Sequence, residues 1–258
     1  MNRIGIALLL ATLFISTSCI CQNFFWSHTG GAVPCTEGYG LLYNWYAATD
    51  TRKISSSDDW SIPSSTQLND LVTYLGGSSV AGGKLKETGY VYWDSPNTGA
   101  TNEVGFSARG TGARSAGGTW GSIRINVHYW GSIYNASFAW FLLTAYNTEA
   151  STVNITGKKA GYAIRLVKSA VGVTDGTVVG YTGNDGGVYY AIAINELYWT
   201  KQNLRETKLR NGDIIPFHGA DNDSTFTDVE WAALTTAGVC AHGNNLSNVG
   251  CDFTFPTE

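Results

Sequence analysis

Trp60-Ser-Ile-Pro-Ser-Ser-Thr-Gln-Leu-Asn-Asp-Leu-Val-Thr-Tyr-Leu-Gly-Gly77 carries the clearest local signal in the chain. Pro63 closes an extended approach, and Ser64-Ser65-Thr66-Gln67 has the form of a capping box. Leu68, Leu71, Val72 and Leu75 then recur at helical spacing until Gly76-Gly77 stops the run. This spacing predicts an amphipathic helix with one apolar face to bury. Working outward, Tyr39 to Tyr46, Ala139 to Ala145, Gly161 to Val167, Val188 to Ile194 and Leu197 to Thr200 are aromatic or β-branched and bounded by turn residues, and read as strands. Asn195-Glu196 reads as the hairpin turn between the last two. Thr227-Asp-Val-Glu230 repeats the capping pattern ahead of Trp231, Ala232, Ala233 and Leu234, and Gly238 ends that second helix. The expected class is α+β: short antiparallel strands, two helices and long Gly/Asn-rich loops.

Composition supports that class. The chain has 258 residues, of which 43% are hydrophobic, enough for a genuine core, so disorder is excluded. Charged residues are 14%, against about 25% in ordinary globular chains, and there are 31 glycines, which argues against a coiled coil or helical bundle. The net charge is −4 with no block of like charge, so nucleic acid is not an expected partner. The 9 Trp, 14 Tyr and 10 Phe sit among Gly, Asn, Ser and Thr, a mixture suited to short strands and aromatic loops.

Met1-Asn-Arg3 is followed by an uncharged run from Ile4 to Ile15 and then Ser16-Thr17-Ser18-Cys19, the pattern of a secretory signal over residues 1–21. As a helix the apolar run would span about 18 Å, short of the roughly 30 Å of a bilayer core, so a transmembrane anchor is the weaker reading. Cleavage after Cys21 gives soluble export, and lipidation of Cys19 would tether the chain to a membrane surface. The expected location is secreted or cell-surface, with membrane contact only through such a lipid anchor. Cys35, Cys240 and Cys251 remain, an odd count that leaves one thiol unpaired unless chains cross-link. Either Cys240–Cys251 or Cys35–Cys240 could pair. There is no Cys-x-x-Cys, and His28, His128, His218 and His242 form no zinc pattern.

Several of these strings occur together in one order. Tyr39-Gly-Leu-Leu-Tyr-Asn-Trp-Tyr-Ala47, Trp60-Ser-Ile-Pro63, Ala81-Gly-Gly-Lys-Leu-Lys-Glu-Thr-Gly89, Trp93, Asn97-Thr-Gly-Ala-Thr-Asn-Glu103, Gly105-Phe-Ser-Ala108, Tyr129-Trp130, Ala139-Trp140 and Gly161-Tyr-Ala-Ile-Arg165 resemble the Fibrobacter succinogenes major paralogous domain family of secreted bacterial proteins. The resemblance covers roughly residues 38 to 168. It implies a C-type-lectin-like fold, a group that also contains the formylglycine-generating enzyme and phage receptor-binding tips.

The order departs from the family at one point. Gly187-Val-Tyr-Tyr-Ala191, Trp199-Thr-Lys-Gln-Asn-Leu204, Asn211-Gly-Asp-Ile-Ile-Pro216 and Trp231-Ala-Ala-Leu234 resemble segments that normally precede the Tyr-Gly-x-Leu-Tyr-Asn-Trp motif. Here they follow it. Either a second copy is truncated at Glu258, or the domain is circularly permuted, with 22–168 as its body, 169–187 as the new connection and 188–258 completing it. Permutation is the favoured reading, because a hairpin and one helix alone would have a thin core.

For chemistry, no Gly-x-Ser-x-Gly elbow is present, and none of the cysteines has a neighbouring motif that would activate a thiol. Asp58-Asp59 and Glu87 with Asp94 are the carboxylate pairs on offer for glycoside hydrolysis, but in Gly/Ser-rich loops they read as caps and turns. Asp94, Asn97, Asn102 and Glu103 offer oxygens to calcium, the one cofactor left open. Ser95-Pro96-Asn97 only partly echoes the triplets of calcium-dependent lectins. Asp221-Asn222-Asp223-Ser224 reads as a turn. Between Trp120 and Tyr146 the chain concentrates amphipathic rings and amides. Trp130, Trp140 and Phe141 read as core, while Trp120, Arg124, Asn126, His128 and Tyr134 are the residues expected to contact a ligand. The expectation is an exported, non-enzymatic module that recognises a surface glycan or protein with side chains carried on a rigid frame. The alternatives are a structural adhesin or envelope component, and an enzyme on the same scaffold.

Overall fold

The computed structural model describes residues 38–218 and 227–250. The leader, Cys35, Asp221-Asn222-Asp223-Ser224 and Cys251 lie outside them. In chain order the elements are β1 (Leu42–Tyr43), α1 (Trp45–Ala48), α2 (Ser65–Tyr74), α3 (Ala81–Leu85), β2 (Thr111–Arg114), β3 (Trp120–Ile123), β4 (Asn126–Ile133), β5 (Phe138–Ala145), β6 (Ser151–Gly157), β7 (Val167–Ser169), β8 (Val178–Thr182), β9 (Val188–Ile194), β10 (Leu197–Thr200), α4 (Asp228–Ala233) and β11 (Val239–Cys240). The class is α+β.

Both capping boxes form as the sequence predicts. The Ser64 side chain accepts from the Gln67 backbone N–H while the Gln67 side chain accepts from that of Ser64, and Thr227 and Glu230 do the same for α4. The strands make a five-stranded sheet in the order β3-β2-β4-β5-β6, a four-stranded sheet in the order β7-β10-β9-β8, and the pair β1-β11. All pairings are antiparallel except β2 with β4. Strands β4 and β5 are covered on both faces. Val127, Tyr129 and Leu142 share a core with Leu68, Leu71 and Val72 of α2, whereas Trp130 and Phe141 join Tyr43, Tyr162 and Ile164 on the other side. A strand buried on both faces loses strict alternation, which is why Phe138–Ala145 reads as a nearly continuous apolar run.

Three stretches differ from the sequence reading. Tyr39 to Tyr46 is strand only at Leu42–Tyr43, because the Asn44 side chain accepts from Ala47 N–H and opens a helical turn. Gly161 to Val167 is an extended, buried spine rather than a strand. It makes isolated bridges to Tyr43, Ser61, Arg114 and Tyr129 and enters a sheet only at β7. The connection at 169–187 holds β8, paired with β9 from Val178↔Ile192 to Thr182↔Val188. Asn195 and Glu196 both take positive φ, 50° and 60°, as a two-residue hairpin turn requires. The glycines of Ala81-Gly-Gly-Lys84 have a packing reason, since a Cβ on Gly82 would overlap the Ala150 carbonyl and one on Gly83 the Gly99 carbonyl.

The described residues beyond the spine are bonded into the same unit as the body. β10 pairs with β7, β11 pairs with β1, and Leu204 N–H donates to the Ile164 carbonyl. Arg165, almost fully buried, donates to Asn203 Oδ1 and to the carbonyls of Phe106, Ser107 and Thr200, tying both parts of the chain to one guanidinium.

Candidate functional site

A groove of about 350 Å³ lies between α1, the 49–62 loop and the end of β4. That size is within the range of small-ligand sites. Trp45 and Trp60 contribute indoles, Ile54 and Leu166 are buried beneath, and Asp50, Asp58, Lys53 and Arg210 supply charge. Each wall is fixed. The Trp45 indole N–H donates to the Gly131 carbonyl at 3.2 Å, and the Lys158 ammonium lies 4.3 Å from its ring centre. Trp60 packs on Tyr181 with ring centres 5.0 Å apart. Asn44, at the head of α1, also accepts from Gly238 N–H and donates to the Thr236 carbonyl, so the far end of the chain anchors this helix.

The rim carboxylates are paired. Arg52 donates to Asp50 and Asp213, both at 2.7 Å, and Arg210 donates to Asp58 at 2.6 Å and to the Ser55 carbonyl at 2.9 Å. These guanidinium contacts hold the carboxyls of Asp50 and Asp58 below the usual range, so both are ionised at neutral pH. The groove therefore combines the half-buried Trp45 indole over the buried Trp60 with fixed acceptors and donors, and its lining charges are balanced.

The residues chosen from sequence do not converge. Asn126 opens β4 and Tyr134 follows its last residue, which puts about 26 Å of strand between them. Trp120, on β3, lies with its indole 4.6 Å from the Arg114 guanidinium and 5.4 Å from the His242 ring. Arg124 has φ 64° in the turn between β3 and β4. It pairs with Asp94 at 2.7 Å and donates to the carbonyls of Tyr90, Val91 and Trp93, so its hydrogen bonds are spent on the 90–94 loop. His128 stacks on Tyr162 at 4.5 Å, and burial pushes its pKa down to about 4, which leaves the imidazole neutral at pH 7. Tyr134 is 51% exposed and meets Trp140 edge-on at 5.2 Å. It stands beside Ile133, which lines the groove.

The side chains of the four calcium candidates are bonded to different neighbours. Asp94 pairs with Arg124, Glu103 pairs with Lys84 at 3.0 Å, the Asn97 amide donates to the carbonyls of Glu87 and Gly89, and Asn102 Oδ1 accepts from Ser107 N–H. The carboxylate pairs are likewise divided among cations. Glu87 meets Arg109 at 2.6 Å, and Asp59 meets Lys168 at 3.0 Å. Among the described residues, no group of three or more His, Cys, Asp or Glu side chains could hold a metal ion. Cys240 corrects the pairing expectation: it carries a free thiol, buried in β11 against the Leu42 carbonyl, and burial pushes its pKa up to about 12.

Two buried ionisable groups escaped the sequence reading. Lys86, inside the body, donates to the carbonyls of Thr98, Ala145 and Thr148 at 2.8–3.0 Å and reaches that of Tyr146 at 3.5 Å, and burial lowers its pKa to about 8. Glu206 accepts from Tyr189 OH at 2.7 Å and from Asp185 N–H at 3.1 Å. Burial first, and then the Asp185 charge, raise its carboxyl to about 8. Neither lies in the groove.

Residues 27–168, more than half of the chain, match the model of the Fibrobacter succinogenes major domain. No curated protein and no solved structure matches the chain.

Proposed function

The chain belongs to the Fibrobacter succinogenes major domain family, and from the surface its fold presents we propose that it is an exported, non-catalytic recognition module that binds a glycan or a protein at a cell surface. The observation that carries this reading is the groove, whose indoles and ion-paired rim are fixed by contacts from α1, β4 and the C-terminal third of the chain. Such a surface recognises without rearranging, which lowers the entropic cost of binding. Export rests on the leader-like residues 1–21 and secretion or surface attachment follows from it. Among the described residues no helix is long and apolar enough to cross a membrane.

The proposed architecture is C-type-lectin-like and circularly permuted. The pairing of β10 with β7 and of β11 with β1 supports permutation, because the segments that resemble the family's opening are bonded to its body. A non-catalytic role is supported by the pairing of Asp50 and Asp58 with arginines. A glycosidase acid needs a raised carboxyl facing its substrate, whereas these are depressed.

The test is a glycan array probed with the full chain, with and without chelator, alongside immobilised envelope proteins. Retention of a defined glycan or protein is expected, and failure to retain either would overturn the reading. One observation favours the adhesin alternative. Ile133, Tyr134, Phe138 and Ile155 are all at least 40% exposed at one end of the β4-β5-β6 hairpins. Concentration-dependent assembly in size-exclusion chromatography, abolished by Phe138→Ser, would support that reading.

A further inference from the structure

We propose that the Trp45–Trp60 groove is a saccharide site for a neutral hexopyranose chain and that it works without calcium. The inference rests on the recognition reading and narrows it to one ligand class at one place.

Charge decides the class first. Asp50, Asp58, Lys53 and Arg210 sum to zero along the lining, so the groove has no net field to collect an acidic sugar. Arg210 is committed to Asp58 and the Ser55 carbonyl, which leaves no open guanidinium fork for a carboxylate or sulfate. The ion pairs do offer what hydroxyls need. An ionised carboxylate held by one arginine keeps lone pairs free to accept, and Lys53 can donate. An apolar ligand would desolvate these ion pairs and give them no new hydrogen bond, at a cost a polyhydroxyl ligand avoids. The half-buried Trp45 indole supplies the complementary part, an apolar surface for the C–H side of a pyranose ring, while the buried Trp60 forms the apolar floor beneath it.

Backbone geometry argues against an extended peptide. On the groove wall Ser61 exchanges both of its backbone hydrogen bonds with Val167, so at that point the wall offers a peptide no free backbone edge to join. Calcium is not needed because the oxygens suited to it, at 94–103, do not line the groove, and Asp94, Asn102 and Glu103 are bonded to other partners.

The experiment is titration calorimetry of the full chain, in EDTA, with cello-, manno- and galacto-oligosaccharides, and with oligogalacturonide and sialyllactose as acidic probes. At least one neutral series is expected to bind. Trp45→Ala and Ser61→Trp should each weaken it about tenfold or more, and Tyr134→Ala should leave it within about twofold. Ser61 is exposed and lines the groove, so Ser61→Trp blocks it even if Trp45→Ala disturbs folding. Binding that survives Ser61→Trp, that requires calcium, or that is confined to the acidic probes overturns the inference and leaves the recognition reading standing. Binding of an envelope protein with no saccharide does the same. If neither saccharides nor proteins bind, both readings fall.

Discussion

The body of the chain and its C-terminal third each bury an ionisable group, Lys86 and Glu206, whose pKa is shifted first by burial, and they solve the problem differently. In the body, Lys86 is surrounded by carbonyls from two loops, which accept its protons and hold an ammonium at pH 7 even though burial has lowered its pKa to about 8. At the junction, Glu206 keeps its proton instead, with Asp185 as a repulsive neighbour and Tyr189 as a donor. The lysine cage ties loops together through its N–H donors, at the cost of a desolvated charge. A protonated carboxyl stabilises the junction only while the solution supplies the proton, so the seam between the two parts is where pH should act.

The largest effect that could break this comparison comes from Lys86→Met. It leaves the carbonyls of Thr98, Ala145 and Thr148 without a donor and should cost about 3–5 kcal/mol in urea unfolding. A variant as stable as the parent would show the cage to be dispensable. Next is Glu206→Gln. A raised carboxyl contributes its stability fully below the unfolded value near 4.5 and loses it as pH climbs through about 8, so the parent should weaken across that window. The Gln variant should flatten the slope, by about 1–3 kcal/mol over the window, and an unchanged slope would place the sensitivity elsewhere. Ser64→Ala and Thr227→Ala remove the same capping box from body and tail, and each should cost about 1 kcal/mol. A much larger loss at Thr227 would mean that α4 holds the seam by more than its cap. Smallest is Tyr134→Ala, expected to move the unfolding midpoint by about 0.5 kcal/mol or less, because the side chain is exposed and touches chiefly Trp140.

What could be read from sequence was local. The helix after Pro63 and the turn at Asn195-Glu196 carry their signals within a few residues, and the structure follows both. Asn44 was misread as part of a strand because its capping role depends on a side chain that also bonds Gly238, far along the chain. The 161–167 spine looks like a strand by composition, yet it crosses between cores rather than joining a ladder until Val167. The groove had no chance of being read. Trp45, Trp60, Ile133, Leu166 and Arg210 come from distant parts of the chain and share no spacing. The density of rings from Trp120 to Tyr146 pointed instead to strands whose aromatic residues largely fill two cores. Glu206 stands in Asn203-Leu-Arg-Glu-Thr-Lys-Leu-Arg210, a charged string that looks like a solvated surface.

Arg165 reaches across to Thr200 and Asn203, and two strand pairings reinforce that link. The covalent path between the halves runs through an exposed loop at Val171 and Gly172. A protease that nicked this loop would therefore produce two polypeptides that still migrate as one particle in native conditions and separate only in denaturant. Mixed after separation, they should reassemble.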